Sequence, residues 1–206
     1  MSAVSSRPPK RVTRPAAVLV QGAGNDLPYV GLARFLAQRG IAVLAYDKRG
    51  VGDSGGTYVG PEVGTNNVSR ENLNLLAEDA VAVMHVMHRE KRLDGVPCGL
   101  VGVSQAGWII PLAALKDPDM RFMVLWSGAV ETTHEDMITE QLALPDPEFW
   151  DHHTHEDVQR TMRQTVDHFD WPNLDPRDAL SKLAIPGLGL FGDVTAICMS
   201  ICQLDG

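Results

Sequence analysis

The sequence of 206 residues has no apolar run approaching the roughly 20 that cross a bilayer, so no membrane attachment is expected. Its first fifteen residues, MSAVSSRPPKRVTRP, lack the apolar core of a secretory signal. They hold four basic residues (Arg7, Lys10, Arg11, Arg14) and no acid, but three prolines oppose an amphipathic transit helix, and residues 1–15 read as a disordered lead-in. Cysteine is scarce. Three cysteines without framework spacing exclude a disulfide scaffold and fit a reducing compartment, so a cytoplasmic location is expected. Positive charge is also in deficit: a net charge of −8 argues against nucleic acid as a partner. The hydrophobic share of 44% is enough for one ordinary core. The oligomeric state is not legible.

The most informative stretch is residues 98–116, CGLVGVSQAGWIIPLAALK. Cys98–Val103 suits a strand buried on both faces, and Ala106–Leu115 suits a helix. A strand that turns into a helix through a serine is the arrangement of a nucleophile elbow, with Ser104 Oγ above the sheet edge. The tight turn needs small residues two positions either side, which Gly102 and Ala106 supply, and Gly107 lets the helix pack close. The usual pattern is Gly-x-Ser-x-Gly, with glycine where Ala106 stands. The plainer alternative is a buried strand, a turn serine and a helix of any α/β domain. A second match, Gly52-Asp53-Ser54-Gly55-Gly56, lacks a following helix, because Gly60 and Pro61 break the chain. Ser54 therefore reads as a loop serine.

Strand and helix signals alternate along the rest. Ala16–Val20 reads as a buried strand ending in Gln21-Gly22-Ala23-Gly24. Glycines directly after a parallel strand leave backbone N–H groups free to face a ligand. The N–H groups of Ala23 and Gln105 are candidate oxyanion-hole donors; a plain glycine turn or a phosphate loop are the alternatives. Leu32, Phe35 and Leu36 share one face of a helix over 29–39, stopped by Gly40. Ile41–Tyr46 is the next strand, followed by Asp47-Lys48-Arg49-Gly50, where an Asp47–Arg49 clamp is expected. Ser69 caps a helix carrying Leu73, Leu76, Ala80, Val83, Met84 and Met87 as its stripe. Arg121–Trp126 and Ile185–Phe191 are further strands. The pattern predicts an α/β fold, a doubly wound and mostly parallel sheet of about five strands, with its site at the carboxyl ends.

Between the last two strands the composition changes. Residues 131–184 hold thirteen acids, four lysines or arginines, and five of the seven histidines. They read as a helical cap insertion over the strand ends, giving a core at 16–130, a cap at 131–184, and a last strand with a short tail at 185–206. His85 and His88, and the run from Asp151 to Glu156, resemble metal ligands in composition. Neighbours on one helix do not converge, however, and both read as helix-edge residues. No metal and no cofactor is expected.

Five segments taken in order (VLVQGAG, YDKRGVGDSGG, GLVGVSQAGW, FMVLWSGA and IPGLGLFGD) resemble the α/β-hydrolase superfamily, in particular bacterial serine esterases with a helical cap. The resemblance covers about residues 16–195. It implies that the strand bearing Ser104 lies beside the strand bearing the oxyanion loop. It also implies an acid and then a histidine after the serine. The acid normally stands three residues after Gly192, where this sequence has Thr195; Asp193 and Glu131 are the candidates nearby. No histidine follows His168, and the family's first antiparallel strands have no counterpart in residues 1–15. A truncated or degenerate copy is therefore expected, with the edge of its last strand exposed.

The function that follows is a serine hydrolase of carboxylic esters, forming an acyl-enzyme at Ser104 and weak or inactive for want of a base. Its partner would be a small-molecule ester or acyl substrate. A non-catalytic remnant, and a peptidase or thioesterase using the same serine, stay open beside it.

Overall fold

The computed structural model describes residues 14–25, 29–60, 66–143, 145–164, 174–193 and 196–204. Six strands form one sheet in the order β2-β1-β3-β4-β5-β6. They are β1 (Ala16–Val20), β2 (Ala42–Ala45), β3 (Cys98–Val103), β4 (Phe122–Trp126), β5 (Gly187–Asp193) and β6 (Ala196–Leu204). The first five are mutually parallel. β1 is buried at every position, as a central strand covered on both faces must be. From β1 the chain adds β2 on one side and then returns to add β3 on the other. The loops after β1 and β3 therefore diverge above a crevice at their carboxyl ends, the usual ligand position in such sheets.

The helices are α1 (Val30–Gln38), α2 (Arg70–His88), α3 (Ala106–Lys116), α4 (Thr133–Ala143), α5 (Phe149–His152), α6 (His155–Gln164) and α7 (Pro176–Leu180). Ser69 caps α2, its side chain accepting from the Asn72 N–H. Leu73, Leu76, Ala80, Met84 and Met87 on α2 join Val18, Leu100, Ile109 and Ile110 in the main core. Each large side chain buried there contributes about 1.5–3 kcal/mol relative to an exposed one. A second apolar cluster holds Ile138, Phe149 and Val158 of α4, α5 and α6. Leu174 and Leu180, though later in the chain, pack on the main core. Within 131–184, apolar packing thus separates α4–α6 from the segment around α7.

The stripe of Leu32, Phe35 and Leu36 forms α1 as expected, and no residue of that helix is buried. α1 packs beside β2, an edge strand that is itself only half-buried. Phe35 is 50% exposed, and the Arg39 guanidinium covers its ring at 3.5 Å. One expectation needs correction, at the far edge of the sheet. β5 is not exposed, because β6 pairs with it antiparallel from Gly187↔Leu204 to Asp193↔Ala196. A connection as short as residues 194–195 joins strands only in that sense. Among the described residues no helix is long and apolar enough to cross a membrane.

Candidate active site

β3 ends at Val103, Ser104 follows with φ of 54°, and α3 begins at Ala106. A non-glycine residue at positive φ stores strain, so the surroundings must hold it. They do so through its backbone. The Ser104 N–H donates to Trp126 O at 3.2 Å, and its carbonyl accepts from Gly107 N–H at 2.8 Å and Ala129 N–H at 3.3 Å. The small residues around it are required sterically. A methyl at Gly102 would collide with the Ala106 methyl and stand 2.8 Å from Ile110 Cδ1. One at Gly107 would strike the backbone of Gly128 and Ala129.

The Ser104 side chain is exposed and opens on a cavity of about 410 Å³. Ser127, Gly128, Glu131, Asp136 and Phe191 are among its walls. Ser127 also has positive φ, 44°, and donates its N–H to Leu190 O. No histidine is among the described residues lining this cavity.

The glycine loop after β1 lies against the serine. A methyl at Gly22 would stand 3.4 Å from Ser104 Cβ. Several polar groups of this loop are engaged. Gly22 N–H donates to Tyr29 Oη at 3.1 Å, and Ala23 O accepts from Tyr58 Oη at 2.8 Å. Neither the Ala23 N–H nor the Gln105 N–H finds an acceptor among the described residues. The Gln105 side chain is buried, donating to Asn67 O at 3.0 Å and accepting from Lys48 Nζ at 3.3 Å. Lys48 was legible only as part of a glycine-rich turn. The structure turns it inward, where burial pushes its ammonium down to about 8.

The two acid candidates fare differently. Glu131 lines the cavity with Ser104, and its carboxyl touches that of Asp136. Burial, and then the neighbouring Glu135, raise its pKa above the ordinary carboxylate range. Asp193 is the last residue of β5, its backbone paired with Ala196, and its side chain lies outside the described residues, as does Thr195. The expected Asp47–Arg49 clamp does not form. Arg49 instead grips Asp79 on α2 with two bonds of 2.7 Å, while Asp47 accepts from the Asp53 N–H. Ser54 donates to Asp47 O at 2.7 Å, and no helix begins in Thr57–Gly60.

The histidine-rich run does not converge on itself. His153 bonds Phe149 O and stacks on the Phe149 ring. His155 instead meets residues from elsewhere: one ligand atom each of Glu131, Glu135 and His155 lies within 4.8 Å of the others. That trio could receive a metal ion, but Arg177 shares the neighbourhood and already offsets both carboxylates.

The parallel sheet, the strained serine between β3 and α3 and the cavity above it define an α/β hydrolase. More particularly, the chain belongs to the family described as serine aminopeptidase, S33, whose pattern matches residues 13–166. No curated protein matches it. Among solved structures, it resembles an esterase of Pyrococcus furiosus at 15% identity and TM-score 0.56, over 86% of this chain and 61% of that one. An acetyl xylan esterase from Paenibacillus sp. R4 matches at 19% identity and TM-score 0.55, over 86% and 58%. Acetyl xylan esterase 1 from Thermoanaerobacterium matches at 16% and 0.53, over 89% and 61%. At such identities the likeness establishes the fold, and this chain spans less than two thirds of each of those proteins.

Proposed function

We propose that this chain is a slow serine hydrolase of carboxylic esters. The observation that carries the reading is Ser104 itself: a strained, exposed serine at a carboxyl strand end, opening on a cavity beside a glycine loop. Ser104 Oγ attacks the acyl carbonyl, and its proton passes to a base or to water. The carbonyl oxygen becomes an oxyanion held by the N–H groups of Ala23 and Gln105. The alcohol leaves with a proton, and water then releases the acid from the acyl-enzyme.

The rate is low because no histidine among the described residues faces the cavity. In a comparable triad, loss of the base costs roughly 10⁶ in kcat and leaves about 10³–10⁴ over water. Glu131 lines the cavity as the acid nearest to hand. Asp193 remains a candidate by its place in the chain alone.

The test is labelling by a fluorophosphonate, followed by p-nitrophenyl acetate hydrolysis beside Ser104→Ala. Labelling at Ser104 with turnover far below the enzyme range of about 1–10³ s⁻¹ is the expected result. Turnover within that range, abolished by Ser104→Ala, would reveal a base outside the residues named. No labelling at all would leave a non-catalytic remnant.

A second reading, a peptidase acting on free amino termini, is favoured by the family's description and by Glu131 and Asp136 on the cavity wall. Carboxylates attract an α-ammonium group. An aminoacyl p-nitroanilide cleaved faster than its N-acetylated form would support it over ester hydrolysis.

A further inference from the structure

Lys48 is 5% exposed, and among the described residues no carboxylate pairs with it. A buried cation without a counter-ion is costly, so its partners matter. Among the described residues, its polar partners are neutral oxygens. Nζ donates to Gly22 O, to Gln105 Oε1 at 3.3 Å and to Gly24 O at 3.4 Å. The Tyr58 ring lies 5.9 Å away. These acceptors come from the two segments that flank Ser104, the loop after β1 and the start of α3.

The bond to Gly22 O has a particular chemical meaning. Gly22 C=O and Ala23 N–H are the two ends of one peptide group. Charge drawn onto the oxygen by an ammonium leaves the N–H a stronger donor, because hydrogen bonds in series polarise one another. Other groups of the loop are committed: Gly22 N–H to Tyr29, Ala23 O to Tyr58, Gly24 O to Lys48. Ala23 N–H has no acceptor among the described residues. The same ammonium holds the side chain of Gln105, whose N–H is the other proposed donor.

We propose that Lys48 is a positioning residue, which polarises and orients the Gly22–Ala23 peptide toward an oxyanion above Ser104. Its catalytic consequence rests on the hydrolase reading; the polarised peptide does not. Its state depends on pH. Burial brings the ammonium down to about 8, so the charge is present below that value and is lost as pH rises through it. Among the described residues, the other titratable groups that touch the loop are the phenols of Tyr58 and Tyr29. The flanking charges point elsewhere, Asp47 to the Asp53 N–H and Arg49 to Asp79.

The experiment uses the isotope-labelled chain, with Lys48→Met to remove the charge at similar length and Lys48→Arg to keep it. The Gly22 carbonyl carbon and Ala23 amide nitrogen signals should move together with a midpoint near pH 8. They should be flat in both variants. Flat signals in the wild-type chain, or an equal titration in Lys48→Met, would overturn the proposal. In parallel, the maximal rate of fluorophosphonate labelling at Ser104 should fall about ten-fold in Lys48→Met with half-saturation unchanged. The ratio of wild-type to Lys48→Met rates should shrink above pH 8, whereas the ratio of Lys48→Arg to Lys48→Met should not. An equal loss at every pH would mean a merely structural lysine and would sink the idea. If the wild-type chain is not labelled, the hydrolase reading fails, and the carbon and nitrogen titration still decides on Lys48.

Discussion

Arg49 and Asp79 form a two-pronged ion pair, Nε to Oδ2 and Nη2 to Oδ1, both at 2.7 Å, which ties the loop after β2 to the middle of α2. The guanidinium adds a bond to Leu75 O at 3.3 Å. The pair is partly screened, its side chains being 23% and 28% exposed. A fork of this kind is stronger than a single contact, but exposure discounts it.

Arg49→Ala should therefore cost about 1–2 kcal/mol in urea denaturation, and Asp79→Ala about the same. The double variant should cost little more than either single one, because both remove one shared interaction. Arg49→Lys should recover only part of the loss, since a lysine keeps the charge without the fork. Additive losses would show that the two residues act through different partners.

Gly102 and Ala106 share one methyl's worth of space under the turn at Ser104. Gly102→Ala should destabilise by about 1–3 kcal/mol through overpacking. Adding Ala106→Gly should restore part of this, because it removes the nearest obstruction. Restoration should be incomplete, since Ile110 Cδ1 at 2.8 Å and Val20 O at 3.0 Å still crowd the new methyl. Thermal midpoints of the two single variants and the double variant decide it. No recovery would place the clash on the β1 backbone instead.

Glu131 is an acid whose folded pKa lies above its ordinary value. The folded state thus binds its proton more readily than the unfolded chain does. Stability from this group is fully present below the ordinary glutamate range and is lost as pH rises through the raised value. Glu131→Gln, which is neutral at every pH, should accordingly raise the thermal midpoint at about pH 7.5 and change it little at about pH 4. A loss of stability at neutral pH would show that the charged form is the favoured one.

The turn at Ser104 was legible because its causes are local. An apolar strand, three small residues and a helix stand within twenty positions, and the steric demand falls on residues two apart. Lys48 and Arg49 were not legible for the opposite reason. Lys48 is held by two carbonyls and an amide, groups that every chain has and no side-chain pattern marks. Arg49 chose an acid thirty residues away over one two residues away, because α2 brings Asp79 within reach of both its nitrogens. The stripe on α1 shows a third limit. Leu32 and Phe35 reveal a helix by their spacing, but their burial depends on what lies beside β2. Glu131 could be placed near the strand ends from its distance beyond Trp126, yet its meeting with His155 needed the fold of α4 against α6.

The pairing of β1 with β3, Val20 opposite Gly102, has a consequence for how the molecule comes into being. Everything between these strands must be synthesised and partly arranged before they can meet, and contacts so distant in sequence form slowly. The glycine loop and the serine turn, which lie against each other at Gly22 and Ser104, cannot meet until then. A refolding chain should regain helical signal first and reactivity of Ser104 last. The serine would thus serve as a clock for completion of the central sheet, readable by adding a fast-reacting phosphonate at successive times after dilution from urea.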